Sequence, residues 1–398
     1  MATQIAPSDP LLSEEHLQVR ETASRFAAEV VAPRAAAIDR SGEFPHETFR
    51  QMAELGFLGL PFPEEFGGAG LDTRANLIAI EEISAACAST GISLAAHVSL
   101  GTAPIYYAGT EEQKRRFVPR LASGEILGAF GLTEPNAGSD AAGTQTTAVR
   151  ENGGWRVNGT KIYITNGSVA GVVVFTARTD RGKGSAGISA FVVEKGTPGF
   201  NVGKREDKMG LRASDTVELH FQDCFVPEDN ILGGEGAGFR EFMRTLDGGR
   251  IGIGALSLGI GRAAYEAAVG YAKERRQFGK PIGEFQLIQE MLADMRVRLE
   301  CSRHLVYHAG WLKDHGRPFA IEASMAKLHA SETATFCADR SVQIHGGMGY
   351  MRELPVERYY RDAKLMEIGE GTTQIQKIVI ARDCLKQAGY QMKGLRHE

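Results

Sequence analysis

Cysteines are few and unpaired in this sequence. The 398 residues include five, and none of them form a CxxC pair, which argues against a disulfide framework. A reducing compartment, the cytoplasm, is the expected location. The N-terminal stretch has no basic segment followed by an apolar one, so no secretory signal is expected. No apolar run reaches the roughly 18 residues that a membrane span needs, so no membrane partner is expected.

Neither sign of charge is in excess. The chain has 45 basic and 49 acidic residues and a net charge of −4, which argues against nucleic acid or an anionic membrane surface as a partner. The length predicts two or three domains. Glycine alone is abundant, with 48 residues against an average usage of roughly 7%. Such a composition indicates many tight turns, or backbone that approaches a ligand closely.

Helical periodicity marks both ends of the chain. Between about residues 13 and 123, Val19, Phe26 and Val30 share one helix face, and Ser13 is a suitable N-cap for the first helix. The same period returns after residue 236, where apolar residues recur on one face of a long helix: Ile288, Leu292, Met295 and Leu299. Helices are therefore expected before and after the middle of the chain.

Between about residues 128 and 233 the pattern is that of strands. Alternating apolar residues lie on both sides of Asn158-Gly159, a dipeptide that is typical of tight hairpin turns. We expect a hairpin there, with residues 155–157 and 162–164 in its two strands. Further apolar runs, separated by turn residues, predict a compact antiparallel sheet or a small barrel.

This order predicts an α+β multidomain protein. The expected units are an N-terminal α-helical domain at residues 1–127, a middle antiparallel β domain at residues 128–236 and a C-terminal domain like a four-helix bundle at residues 237–398. The glycine clusters at residues 234–238 and 252–254 match GxGxxG only in part and lie outside any βαβ unit. A Rossmann dinucleotide fold is therefore rejected.

One helix face carries three residues that could bind a metal. Cys301, His304 and His308 follow one another at i, i+3 and i+7, and zinc accepts both residue types. No fourth ligand and no HExxH motif accompany them. A packed helix with polar aromatic residues is the better interpretation, and we expect no metal.

Two glycine-rich motifs carry the strongest signal. The first, GLTEPNAGSDAAG at residues 131–143, is either an irregular loop with an Asx turn or a segment that offers N–H groups and hydroxyls to a polar ring. It resembles the first signature of the acyl-CoA dehydrogenase family. The second, QIHGGMGY at residues 343–350, is followed by Glu353, Arg358 and Asp362 and resembles the C-terminal signature of the same family. The resemblance therefore extends over nearly the whole chain.

The resemblance implies an FAD-dependent flavoprotein of the short- or medium-chain type. Such an enzyme oxidises a saturated acyl-CoA to trans-2-enoyl-CoA, as in fatty acid β-oxidation, and passes electrons to electron-transfer flavoprotein. The family habit is a homotetramer. An oxidase or monooxygenase that passes electrons to oxygen, and a non-enzymatic scaffold protein, are the alternatives.

Glu370 is the expected catalytic base. It lies between two glycines just before an amphipathic helix, where its neighbours add no bulk. By its position alone it is an exposed loop residue, with Thr372 as the N-cap of that helix. The resemblance instead implies that Glu370 removes the α-proton of the thioester while the β-hydride goes to flavin N5, and that its own N–H, with a flavin ribityl hydroxyl, stabilises the enolate. A family branch carries its base where this chain has Gly249, which cannot act.

The resemblance also implies a role for individual residues. Flavin contacts are expected from Phe130, Leu132, Thr133, Ser139, Tyr163 and Thr165, with Tyr163 in the place of a stacking tryptophan. Contacts to the FAD of a neighbouring subunit are expected from Arg275, Phe278, Gln286, Gln343, Ile344, Gly346 and Gly347. The phosphates of the chain's own FAD would contact Thr372, Thr373 and Gln374, at a helix N-terminus. The acyl-CoA would contact Ser139, Asp247, Arg250 and Gly371.

The acyl group is less defined by the sequence. The segment ISLAAHVSL at residues 92–100 is expected to line part of the acyl pocket, and it has no arginine that would suit a dicarboxylyl substrate. We expect a short- or medium-chain substrate. His97 lies in this segment, and a packed histidine with satisfied ring nitrogens is the better interpretation than a pocket residue.

Overall fold

The computed structural model describes residues 12–390. The helices of this range are α1 (Glu14–Phe26), α2 (Ala32–Ser41), α3 (His46–Glu54), α4 (Thr73–Ala86), α5 (Ala88–Ala95), α6 (Ala103–Ala108), α7 (Glu111–Ala122), α8 (Gly238–Glu274), α9 (Gln286–Asp314), α10 (Ala320–His345), α11 (Val356–Met366) and α12 (Thr373–Gln387). The strands are β1 (Leu127–Gly131), β2 (Thr147–Glu151), β3 (Gly154–Thr165), β4 (Ala170–Arg178), β5 (Ile188–Glu194), β6 (Phe200–Arg205), β7 (Thr216–Pro227), β8 (Ile231–Leu232), β9 (Arg276–Gln277) and β10 (Lys280–Pro281). The expectation of no secretory signal rests on N-terminal residues that lie largely outside the described range.

The predicted order of helices, strands and helices is confirmed. Ser13 caps α1 as expected, because its hydroxyl accepts the N–H of His16 and its own N–H donates to the ring of His16 at 2.9 Å. The helical regions also contain two π-helical turns, at residues 27–31 and 96–102. No helix among the described residues is both long enough and apolar enough to cross a membrane.

The middle sheet is mixed rather than purely antiparallel. Its strand order is β6-β7-β3-β2-β4-β5-β8, and β1 joins it beside β4. The pairs β1–β4 and β2–β4 are parallel, and the others in this sheet are antiparallel. The turn-rich segment after β1 lies next to β3, because the carbonyl of Thr133 accepts the N–H of Ile162.

The hairpin predicted at Asn158-Gly159 is wrong. Both residues lie inside β3, opposite an irregularity in its pairing with β7. The chain reverses instead at Asn152-Gly153, where Gly153 has φ +77° and Glu151 pairs with Gly154. Gly159 is needed for close packing, since a Cβ there would lie 2.7 Å from the Cα of Thr146.

Two large apolar cores lie within residues 12–390. One lies within the sheet and includes Trp155, Phe175, Phe191 and Phe221. The other joins the N-terminal helices to the C-terminal ones, because α4 packs against both α1 and α8, and α8 packs against α10. The loop that carries Glu370 packs against the helical part, next to Gly249 of α8 and Lys327 of α10.

Candidate active site

Glu370 sits in a strained turn between α11 and α12. Its φ is +53°, in the left-handed region that few residues other than glycine adopt, and Gly371 follows with φ +94°. Thr372 then caps α12 by accepting the N–H of Ile375 at 3.3 Å, as the sequence predicts. A carbonyl of the preceding loop, that of Glu367, accepts the N–H of Thr373 at 2.9 Å. These bonds hold a turn that the backbone of Glu370 would otherwise disfavour.

The carboxylate of Glu370 points into the protein. The residue as a whole is partly exposed, but its Oε2 is buried and has no hydrogen-bond partner among the described residues. The interpretation of Glu370 as an exposed loop carboxylate is therefore wrong. Burial raises its pKa to about 7, although the positive charges of Lys327 and Arg250 oppose this rise. A buried, unpaired carboxylate of this kind is able to accept a proton near neutral pH.

Gly249 of α8 leaves the space that the carboxylate fills. A Cβ at this position would overlap Oε2 of Glu370 and would lie 3.0 Å from Cδ2 of Leu100. Space, rather than backbone conformation, therefore demands glycine here. The neighbouring Arg250 is buried and donates to the carboxylate of Asp247 at 2.8 Å. Burial raises the pKa of Asp247, and the charge of Arg250 opposes that rise.

An apolar wall lies beside the carboxylate. Ala96, Leu100 and Leu246 form a small buried cluster, against which other apolar side chains pack: Phe130, Leu132 and Met243. These residues come from the π-helical turn at residues 96–102, from α8, and from β1 and the residue after it. Such a surface suits a short aliphatic chain next to a proton acceptor.

His97 is not part of this wall. It is fully buried, its Nε2 donates to the carbonyl of Leu121 at 3.1 Å, and its Nδ1 accepts the N–H of Gly128 at 3.0 Å. Burial lowers its pKa to about 4, so the ring is neutral. The prediction of a packed histidine with satisfied nitrogens is confirmed.

Two of the predicted flavin segments lie side by side. The carbonyl of Thr133 accepts the N–H of Ile162 at 2.9 Å, which places the end of β1 next to Tyr163 on β3. Tyr163 has φ +60° and 63% of its surface is exposed, so its ring is free to stack on a planar group. Thr133 and Thr165 are half-buried.

A buried ion pair stabilises the contact between the end of β1 and β3. Lys161 is fully buried and donates to Oε1 of Glu134 at 2.7 Å and to the carbonyl of Leu132 at 3.2 Å. The second oxygen of Glu134 accepts the N–H of Gln145 at 2.6 Å. Burial would raise the pKa of Glu134, but Lys161 and these bonds outweigh it and lower that pKa. Glu134 lies in the first signature motif, and the sequence alone did not indicate its partner.

The residues expected to reach a neighbouring subunit form an exposed group. Phe278 lies at the β9–β10 turn with φ +51° and 92% of its surface exposed, and Arg275 and Gln286 beside it are also exposed. The ring of His345, at the end of α10, stacks on Tyr271 of α8 at 4.3 Å. This contact brings Gln343, Ile344, Gly346 and Gly347 toward the same end of the bundle; Ile344 alone among them is buried.

Some predicted site residues share no hydrogen bond within the part of the chain that the structure describes. Ser139 is exposed, and no hydrogen bond among residues 12–390 joins it to Asp247 or Arg250. Thr373 is buried, whereas Gln374 is exposed at the start of α12. Within the described residues, no group of three or more His, Cys, Asp and Glu side chains could hold a metal ion.

Sequence reasoning missed Lys327 and Gln376. Lys327 of α10 is fully buried and donates to the carbonyl of Gly371 at 2.7 Å. Gln376 of α12, also fully buried, donates to the same carbonyl at 3.1 Å and to that of Glu370 at 3.3 Å. A signal for Lys327 was present, because it shares a helix face with Ala323 and Ala330.

Family models match this chain in three consecutive regions, at its N-terminal, middle and C-terminal parts. Family models match residues 13–125 (acyl-CoA dehydrogenase, N-terminal domain), 129–224 (middle domain) and 236–385 (C-terminal domain). A probable acyl-CoA dehydrogenase of Bacillus subtilis is 54% identical over 94% of this chain and 99% of its own. The short-chain specific acyl-CoA dehydrogenase of Clostridium acetobutylicum is 50% identical over 93% of this chain and 98% of its own. The structure of butyryl-CoA dehydrogenase from Megasphaera elsdenii has a TM-score of 0.93 and 46% identity, over 94% of this chain and 99% of that chain.

Proposed function

Because the chain belongs to the acyl-CoA dehydrogenase family, we propose that it oxidises a short-chain saturated acyl-CoA to the trans-2-enoyl-CoA with Glu370 as the base. The observation that carries this proposal is the buried carboxylate oxygen of Glu370, which has no partner among the described residues. It lies against the apolar wall formed by Leu100 and its neighbours. The chain is an oxidoreductase, as are the relatives named for this activity.

The proton transfer assigned to Glu370 is chemically consistent with its surroundings. The C–H bond next to a thioester carbonyl is weakly acidic, so the base must be desolvated to accept its proton. Burial raises the pKa of Glu370 to about 7, which gives such a base. The proton goes to the carboxylate, and the β-carbon loses a hydride, so that two hydrogens and two electrons leave the substrate. The N–H of Glu370, presented by the left-handed turn, is the proposed donor to the carbonyl oxygen of the thioester.

The residues present fit an FAD cofactor. Exposed Tyr163 offers an open ring face, and the half-buried Thr133 and Thr165 flank it. In the first turn of α12 the N–H groups of Thr373 and Ile375 are bonded within the protein, so the exposed Gln374 is the residue whose N–H would be offered to phosphate. A Cβ at Gly346 or Gly347 would meet nothing within 4 Å, so these glycines border open space. When bound, FAD would supply the hydride acceptor at its N5.

A shared cofactor would require more than one subunit. Phe278, Arg275 and Gln286 are exposed in the protomer, which suits contact with the FAD of a neighbour. We propose a homotetramer, following the family habit, with electron-transfer flavoprotein as the electron acceptor. The five unpaired cysteines favour a reducing compartment such as the cytoplasm.

A short acyl chain is favoured by two observations. Leu100 lies close to the space shared by Gly249 and the Glu370 carboxylate, and Leu246 belongs to the same apolar cluster, so bulky side chains line the site proposed for the acyl chain. Two relatives are named for short-chain or butyryl-CoA substrates. We therefore propose butyryl-CoA as the first substrate to test.

Anaerobic flavin bleaching tests the function directly. The purified holoprotein is mixed with butyryl-CoA, and the loss of flavin absorbance is followed for the unmodified chain and for Glu370→Gln. The variant should retain FAD and bind butyryl-CoA, yet reduce flavin several orders of magnitude more slowly. Glu332→Gln is the matched control, because Glu332 forms an exposed ion pair with Lys377 at 2.8 Å. Equal bleaching by Glu370→Gln would remove Glu370 from the mechanism.

The same preparation separates the alternatives. Hydrogen peroxide released in air without a carrier protein would indicate an oxidase. Purified protein without flavin absorbance, together with no effect of Glu370→Gln, would indicate a scaffold protein.

A further inference from the structure

The buried face of α10 carries a lysine that the reaction itself does not require. Lys327 is fully buried, and so are the neighbouring Ala323, Ala326 and Ala330 on the same face. A buried ammonium group is costly unless it is bound to other polar groups. Burial lowers the pKa of Lys327 to about 8, and the charge of Glu370 opposes this shift. Such a residue on an apolar helix face calls for a functional explanation.

The hydrogen bond of Lys327 is made to the main chain of the base loop. Its Nζ donates to the carbonyl of Gly371 at 2.7 Å. Gln376 donates to that carbonyl at 3.1 Å and to the carbonyl of Glu370 at 3.3 Å. Two buried side chains from two helices thus hold two consecutive carbonyls of a turn in which both residues have positive φ. Because a peptide unit is planar, these bonds also fix the N–H groups of Gly371 and Thr372, which share those two peptide units, and so hold the backbone on the C-terminal side of Glu370.

Lys327 does not pair with the carboxylate itself. Oε2 of Glu370 is buried and has no hydrogen-bond partner within residues 12–390. A direct ion pair would hold the proton affinity of the base too low for its task. Bonded to the next carbonyl instead, the ammonium group stabilises the charged base and leaves its oxygen free. The other charged groups near this pair are Arg250 with its partner Asp247 on α8, and Glu367 in the loop.

We propose that Lys327 is a positioning residue that holds the Glu370–Gly371 turn in its catalytic geometry and supplies a positive charge beside the base. The inference rests on the proposed function, in which Glu370 removes the substrate proton. Lys327 acts through Glu370 and does not contact the acyl group. The same arrangement explains why a charged side chain lies among alanines of α10.

Lys327→Met tests both parts of this role. The rate of anaerobic flavin reduction by saturating butyryl-CoA is measured across pH in the holoenzyme. We expect the rate to fall about 10- to 100-fold, as a misplaced catalytic group would cause. We also expect the pH midpoint of the rate to rise by about one unit, because a neighbouring positive charge is lost. Lys327→Arg keeps the charge and should restore the midpoint.

Gln376→Met provides a second variant in case Lys327→Met folds poorly. It removes the other donor to Gly371 but no charge, so it should lower the rate and leave the pH midpoint in place. Lys208→Met is the matched control. Lys208 is a partly buried lysine whose pKa burial lowers to about 8, and it donates to Thr216 at 2.7 Å in the sheet region. This control should not move the midpoint.

The outcomes also distinguish this inference from the proposed function. If Glu370→Gln still reduces flavin, the proposed function fails. If Glu370→Gln is inactive but folded Lys327→Met reduces flavin with the unmodified rate and midpoint, only the role of Lys327 is overturned. A lower rate with an unmoved midpoint in Lys327→Met would likewise overturn the charge that we assign to it.

Discussion

Any side chain at position 249 would overlap the carboxylate of Glu370. A Cβ on Gly249 would lie 3.1 Å from the carboxyl carbon of Glu370 and 3.0 Å from Cδ2 of Leu100. One glycine of α8 therefore creates the room for the proposed base. Because Gly249 lies within a regular helix, its replacement tests space and not backbone conformation.

Gly249→Ala should slow flavin reduction by about 10- to 100-fold, because it displaces the base. Alanine favours the helix, so the fold itself should not suffer. Gly248→Ala makes the same change one residue earlier, where the new methyl would meet only the flexible end of Lys313 at 3.3 Å. Stopped-flow bleaching by butyryl-CoA compares the two variants. Equal rates in both would show that the space at position 249 is not needed.

The rate of flavin reduction should rise with pH and reach half its maximum near pH 7. Burial raises the pKa of Glu370 from 4.5 to about 7, and only the ionised carboxylate accepts a proton. A stopped-flow pH series on the holoenzyme measures the midpoint. A rate that is constant from pH 5 to pH 9 would contradict a titrating Glu370.

Glu370 should also make stability depend on pH. Its folded-state pKa lies above the unfolded value of 4.5, so its contribution is fully present below pH 4.5 and is lost as the pH rises through 7. Glu370→Gln removes this loss. The thermal midpoint of the variant minus that of the unmodified chain should therefore grow as the pH rises from 5 to 8, as measured by scanning calorimetry. If the two thermal midpoints differ by the same amount at every pH, the pKa of Glu370 is not raised in the folded state.

Leu246→Ala should shift substrate preference toward longer acyl chains. Leu246 forms the apolar wall with Ala96 and Leu100, and each methylene in such a pocket is worth about 10- to 200-fold in specificity. Ferrocenium-coupled turnover across acyl-CoA substrates of increasing length gives the kcat/KM series. Leu94→Ala is the control, since Leu94 is fully buried in the main helical core instead. It should cost stability without changing the order of substrates.

Glu134→Gln should destabilise the protein by about 3–5 kcal/mol, because it leaves the buried Lys161 unpaired. FAD retention should fall as well, since Lys161 also holds the carbonyl of Leu132. Urea unfolding and the flavin content after gel filtration measure the two effects. Glu151→Gln, which breaks an exposed pair with Arg156, should leave both unchanged. A folded Glu134→Gln variant with unmodified stability would contradict the role of this pair.

The order of helices and strands could be predicted because local patterns encode it. Ser13 and Thr372 cap their helices as their residue type and position predict. The predicted position of the hairpin was wrong because tertiary packing decides it. Two Asn-Gly pairs lie close together in the chain, and only the packing of Gly159 against Thr146 shows which of them is in a strand.

The residues of the site could be predicted from the sequence only where they lie in a motif that resembles the family. Lys161 and Lys327 are of a residue type that is usually exposed, although the alanines on the helix face of Lys327 indicated that this face is buried. Their burial depends on contacts between distant segments, Lys161 with Glu134 and Lys327 with Gly371. The left-handed turn at Glu370 is held in part by Lys327, which is distant in the sequence, so its conformation could not be derived from the loop sequence.

The core that α4 shares with α1 and α8 constrains how the protein is made. As the nascent chain leaves the ribosome, the apolar face of α4 emerges long before α8 and α9, which pack against it. The sheet has its own core and completes in the interval. The face of α4 therefore spends most of synthesis exposed, and a chain that ends before residue 238 leaves it uncovered as a substrate for chaperones and proteases.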